Sequence, residues 1–169
     1  FAATGGLFRR FFAEGAVNGF FDTTIALLNP TTGPTVAHLT FQPSGGPAIQ
    51  RDIPMAALSR ATVNPKTLGL TQADFATVVE SEQPIVADRT MTWDATGYGS
   101  HAETSVDTPR PVWYFAEGST TGSFNLFYLL QNPGSQAAQV EIRYLRPAPL
   151  APIVKTYSVA AGSRRTIYV

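Results

Sequence analysis

Glu14 and Glu117 are the two acids whose surroundings repeat, and a pair of carboxylates is the machinery of glycoside hydrolysis. Each stands before a glycine in the same short text, Phe11-Phe12-Ala13-Glu14-Gly15 and Tyr114-Phe115-Ala116-Glu117-Gly118. Residues at the same place in two copies belong to two separate units, so these acids read as turn residues that accept backbone N–H groups. His101, Glu103 and Asp107, with Asp94 upstream, form a second polar group. Alternate spacing puts 101 and 103 on one side of an extended segment. Calcium would take the carboxylates and zinc the imidazole, but neither coordination set is complete. The stretch reads as a solvated linker. His38 lies in an alternating strand pattern and reads as a sheet-surface residue. Neither histidine has a Ser or Cys partner in a nucleophile elbow. No catalytic residue, cofactor or metal is assigned, and the chain reads as a non-enzyme.

The elements that hold these residues come in two copies. Gly19 matches Gly122, Phe21 matches Phe124, and Leu27-Leu28-Asn29-Pro30 matches Leu130-Gln131-Asn132-Pro133, all at the 103-residue spacing of Glu14 and Glu117. A repeat of that length is a domain rather than a solenoid turn. Thirteen prolines and fourteen glycines leave few windows of helical length, and Gln72–Ala76 is the best candidate for a single turn. Short runs rich in Val, Ile, Thr, Phe and Tyr alternate with Gly, Pro, Asn and Ser clusters, the pattern of strands and turns. The first copy predicts strands at 7–13, 21–28, 36–42, 49–54, 60–63, 75–80 and 85–93. Within 36–42, Val36, His38, Thr40 and Gln42 share one face, and Ala37, Leu39 and Phe41 the other. The second copy predicts strands at 113–116, 124–131, 139–145, 153–159 and 164–169, and no counterpart of the last two strands follows.

These patterns predict an all-β protein of two tandem, related antiparallel β-sandwich units of Ig-like type, the second lacking its last strands. The expected boundaries are an N-terminal arm at 1–10, a first unit at 11–99, a linker at 100–112 and a shorter second unit at 113–169. Three accounts of the shortfall stay open: strand exchange between subunits, truncation of a longer repeat array, and a self-sufficient five-strand unit. A start at Phe1 rather than Met suits a cleaved leader or a fragment.

Composition narrows the function. Twelve basic and twelve acidic side chains cancel without clustering, which argues against nucleic acid. Charged residues are 14% of the chain, against roughly 25% in an average soluble domain, which suits surfaces covered by neighbours. There is no cysteine, hence no disulfide framework and no thiolate metal site. No apolar run approaches the roughly 18 residues that mark a membrane span.

From Trp113-Tyr114-Phe115-Ala116-Glu117-Gly118-Ser119-Thr120 through Leu129-Leu130-Gln131-Asn132-Pro133-Gly134, the chain resembles a repeat of large secreted or surface-attached bacterial proteins. The family's pattern is an aromatic-Phe-Ala-Glu-Gly-Ser-Thr start, a Gly-Phe step, a Leu-rich strand and Asn-Pro-Gly. Tyr-Leu and Ser-Arg-Thr-Val strands follow, and then a segment like Val78–Met91. The likeness covers about Phe11 to Val169, with a more degenerate first copy. Where the family ends this region in Gly-His-Asp, the chain has His101-Ala102-Glu103. The resemblance implies an extracellular or cell-surface location and a structural or adhesive task, with no catalytic residue to carry across.

The expected role is therefore a structural subunit of an extracellular bacterial filament, sheath or surface array. It would assemble as a homopolymer, head to tail, by β-strand addition. Phe1, Leu7 and Phe8 of the arm would meet the incomplete second unit near Ile167 and Val169. The alternative is an adhesive or carbohydrate-binding module gripping surface glycans through Trp93, Tyr98, Trp113 and Tyr128.

Overall fold

The computed structural model describes residues 7–94 and 99–169, and among these the chain folds into thirteen strands with no α-helix. One sheet has the order β1-β7-β4-β5: β1 is Phe8–Phe12, β4 Thr35–Pro43, β5 Ile49–Met55 and β7 Ala73–Ser81. The short β2, Ala16–Val17, also pairs with β7. The facing sheet has the order β6-β3-β8-β9, with β3 Phe21–Asn29, β6 Ser59–Val63, β8 Val86–Trp93 and β9 Gly99–Thr104. All of these pairings are antiparallel. Ile25 and Leu27 from one sheet and Leu39, Phe41, Phe75 and Val79 from the other close a single apolar core. β4 shows the expected alternation, with Ala37, Leu39 and Phe41 buried and His38 exposed. The architecture is an all-β sandwich.

The second copy has the same local plan with half the strands. β10, Phe127–Asn132, pairs with β13, Ser163–Tyr168, as β3 pairs with β6. β11, Ala138–Tyr144, pairs with β12, Ile153–Val159, as β4 pairs with β5. The shared Asn-Pro text has a shared job. Asn29 Nδ2 donates to the carbonyls of Gly33 (2.8 Å) and Ala56 (2.9 Å), and its Oδ1 accepts from Thr31 N. Asn132 Nδ2 donates to Gln136 O (2.7 Å) and Ala160 O (3.0 Å), and its Oδ1 accepts from Gly134 N. One side chain thus ties two turns together in each unit. Asn29 is fully buried, so Asn29→Ala removes its bonds to both turns, leaving Gly33 O to Thr31 Oγ1 and Ala56 O to Ser59 Oγ, and is expected to cost about 2 kcal/mol. Asn132→Ala should cost about half as much, because solvent reaches its turn. Denaturant unfolding of the two variants checks the asymmetry.

Several expectations change. Gln72–Ala76 is not a helical turn, since β7 begins at Ala73, and the chain's 3-10 turn is Pro65–Leu68. Phe8–Arg10 are not a free arm: they pair with Ser81, Glu80 and Val79 of β7. Residues 100–104 are not linker, because β9 pairs with β8, and Val106 bridges back to Phe11. Residues 113–116 form no strand. Their counterparts Phe11 and Phe12 do so against β7, and no described strand takes the place of β7 beside Tyr114 and Phe115. The paired copy is 8% and 2% exposed, the unpaired one 92% and 67%.

The two units touch through outer faces. Gln131 Nε2 donates to Gln42 Oε1 (3.0 Å) on the outer side of β4. Arg164, buried, donates to Ala13 O (3.2 Å) and Ser44 Oγ (2.9 Å). Burial lowers the pKa of this guanidinium, an effect that Asp74 and Glu14 oppose.

Candidate functional site

Two features of the fold bear on function: a buried arginine cluster and an open half-sandwich. Arg89 shares the inward face of β8 with Ala87 and Met91 and is 1% exposed. Register puts Glu103 of β9 directly beside it and His101 beside Met91. Arg89 Nη2 donates to Glu103 Oε2 at 2.7 Å and to Glu14 Oε2 at 2.8 Å. His101 Nε2 lies 3.1 Å from both Nη atoms and 2.9 Å from Glu14 Oε2. Unprotonated, that nitrogen accepts from Arg89; protonated, it donates to Glu14. The Trp93 ring packs against the His101 ring, with centroids 5.6 Å apart and planes tilted by 53°.

The cluster thus unites Glu14, His101 and Glu103, which the sequence leaves in two separate groups. Arg89, its centre, escapes the sequence reading, although a charged residue between Ala87 and Met91 on an apolar face is the signal. Asp107 is exposed and outside it, and Glu117 is exposed in the other unit. Glu14 and Glu117 are not a facing pair. One buried guanidinium is thus shared by two carboxylates and an imidazole. Among the described residues no group of three or more His, Cys, Asp or Glu side chains could hold a metal ion. His38 Nδ1 lies 2.7 Å from Asp52 Oδ1 on the surface.

The half-sandwich is the larger feature. In the first unit β3 is flanked by β6 and β8, and β4 by β5 and β7. Among the described residues, β10 has only β13 and β11 only β12. Each therefore presents one unpaired edge, and the apolar face between them is only partly covered. Val140, Ile142 and Tyr144 are half-buried where Ala37, Leu39 and Phe41 are fully buried. Unpaired edges beside apolar surface are where sheets recruit further strands.

The expected contact residues divide accordingly. Phe1 and Tyr98 lie outside the described residues. Leu7, Phe8 and Val169 are exposed, whereas Ile167 is buried opposite Tyr128. Trp93 is half-buried against His101, and Trp113 is 50% exposed. Tyr128 sits between the rings of Phe115 (5.4 Å) and Tyr144 (6.0 Å) in the open face. The Tyr144 phenol is pushed up to about 12, first by loss of solvent, then by the hydrogen bond and charge of Tyr157 and the charge of Tyr128. A raised tyrosine pKa contributes stability below its ordinary value of 10.0 that is lost as pH climbs towards 12. Ultraviolet titration should therefore show a late phenolate step that Tyr144→Phe removes.

No family model and no curated protein matches the chain. Among solved structures it is similar to the crystal structure of Thermotoga maritima 1070, at 16% identity over 69% of this chain and 100% of that one, with a TM-score of 0.54. It also matches the Anabaena sensory rhodopsin transducer, at 21% identity over 52% and 99% of the two chains, with a TM-score of 0.43. The first likeness shows the fold: an all-β sandwich.

Proposed function

We propose that the chain is a structural assembly module, a subunit or segment of an extracellular bacterial filament, sheath or surface array. Its joins form by β-strand addition at the second unit. The observation that carries this reading is that, among the described residues, β10 and β11 each keep an unpaired edge beside a half-buried apolar face. The low charge of the chain agrees with it. The join differs from the head-to-tail one expected from the sequence, because Phe8–Arg10 of the donor arm are already paired within their own unit. Electron microscopy of the material from its native source tests the reading. Ordered assemblies with this chain as the repeating mass support it, and dispersed single chains reject it.

An adhesive role has one observation in its favour, the exposed run Val112-Trp113-Tyr114-Phe115. Glycan-array binding that Trp113→Ala abolishes would place this reading first.

A further inference from the structure

We infer that the cleft between the β1–β9 side of the first unit and the proline-flanked segment after it binds an acidic sugar, a uronate of a polysaccharide chain. This deepens the adhesive reading and rests on it, and the structural reading stands apart from it. The cleft has a volume of about 630 Å³ and takes its chemistry from Arg10, Thr104, Ser105, Asp107, Arg110 and Trp113. Small-molecule sites span roughly 300–1,000 Å³.

One wall is rigid. Arg10 is half-buried on β1. Its Nε donates to Ile85 O at 2.8 Å and its Nη1 to Arg9 O at 3.2 Å. The backbone therefore aims this guanidinium, and among the described residues no carboxylate pairs with it. Ser105 N donates to Ala87 O at 3.1 Å, and Phe11 and Val106 exchange both backbone hydrogen bonds. The run 104–106 is thus pinned to β8 and β1 by contacts that lie wholly within the first unit. The other wall is stiffened by its own sequence. Arg110 stands between Pro109 and Pro111. Pro109 has a fixed φ, and Pro111 confines Arg110 to extended backbone. Holding Arg110 against a ligand therefore costs little further backbone freedom. Its side chain is exposed, with no hydrogen bond or ion pair among the described residues.

The mixture of groups selects the ligand. Two arginines lining one cleft favour an anion, and the planar guanidinium fork matches a carboxylate with two parallel bonds. Asp107 shares the cleft. Its carboxylate repels a chain of closely spaced phosphates, yet it accepts hydrogen bonds from sugar hydroxyls. Thr104 Oγ1 donates to Asp88 Oδ1 at 2.6 Å and keeps lone pairs for a sugar hydroxyl, while Ser105 Oγ can give or accept. The Trp113 indole offers an apolar face to the C–H side of a pyranose ring and an N–H to its oxygens. One carboxylate and several hydroxyls on each ring is the composition of a uronate polymer. A neutral sugar would leave both arginines without a counterion.

Isothermal titration calorimetry of the 169-residue chain tests this with tetramers of galacturonate, glucuronate and mannuronate. Their methyl esters, neutral glucan and chitin tetramers, and a short polyphosphate are the comparisons. At least one uronate tetramer is expected to bind. R110Q should weaken that binding about tenfold or more, the loss of one charge-assisted hydrogen bond. Arg110 is exposed, so circular dichroism should be unchanged in the variant. The methyl ester of the same tetramer should bind more weakly to the natural chain and lose little further on R110Q. Uronate binding indifferent to R110Q overturns the site. Polyphosphate bound as tightly as any uronate overturns the sugar. Binding of neutral glycans alone, lost on Trp113→Ala, overturns the acidic ligand and leaves the adhesive reading standing. A folded chain that binds no glycan, acidic or neutral, overturns both.

Discussion

Replacing Arg89 with alanine is expected to destabilise the first unit by about 3 kcal/mol, near the lower end of what breaking a buried ion pair costs. The guanidinium is sealed in the sandwich and is the shared donor to Glu14, Glu103 and His101. Its removal leaves a cavity and takes the arginine partner from the Glu14 carboxylate, most of which is buried, leaving it only the contact with His101 among the described side chains. Glu103 is half-exposed, so its loss of partner adds little. Arg89→Met retains most of the apolar volume yet still deprives Glu14 of its arginine partner. Adding Glu14→Gln to it removes the charge that has lost its arginine, and the double variant should be less destabilised than the two single losses sum to. Chemical unfolding of the four proteins measures the coupling, and simple additivity would mean that Glu14 draws nothing from Arg89.

The second large effect lies at Phe75, where Phe75→Ala should cost about 3–5 kcal/mol. Its ring is fully buried and meets Phe41 edge-on with centroids 5.5 Å apart. It also lies close against Gly15, where an added methyl would stand 2.5 Å from Phe75 Cε2. The backbone N–H of Phe75 donates to Gly15 O at 2.8 Å, which fixes that approach. Gly15→Ala alone should therefore cost about 1–3 kcal/mol through overpacking. In combination the two changes partly cancel, because the new methyl enters the space the ring has left. A double-mutant cycle with the combined loss about 1 kcal/mol or more below the sum is the expected result.

Gly15 also explains why one repeated motif has two fates. Phe11-Phe12-Ala13-Glu14-Gly15 is ordered by β7, whose Phe75 fills the glycine's missing side chain and whose Val78 and Thr77 pair with the two phenylalanines. Tyr114-Phe115-Ala116-Glu117-Gly118 carries the same text without that neighbour and forms no strand. Local pattern is therefore a sound guide where a strand is held by its sequence neighbours. β3 to β6 and β10 to β13 lie within three residues of the runs marked by alternation and turn clusters. It misleads where a strand depends on a distant partner, as in the expected strand at 113–116. β9 reads as linker for a related reason: its residues are exposed for most of their length, and only pairing with β8 makes them a strand. The Arg89 cluster is half legible. His101 and Glu103 share a face by simple alternation, but their meeting with Glu14 requires both the β8–β9 register and the closure of the two sheets.

The N-terminal strand carries a consequence for how the protein is made. β1 pairs with residues about seventy positions further along the chain, and Phe11 is finally bridged by Val106. During synthesis Phe8, Phe11 and Phe12 emerge before β7, and their docking site does not exist until β7 has followed. Non-local pairing of this kind slows folding towards the millisecond-to-second range, in contrast to structures rich in local contacts. The second unit, built from β11–β12 and the nearby β10 and β13, has its partners close at hand. The first unit therefore has a window in which the aromatic side chains of β1 are uncovered, and a holding chaperone would be most valuable during it.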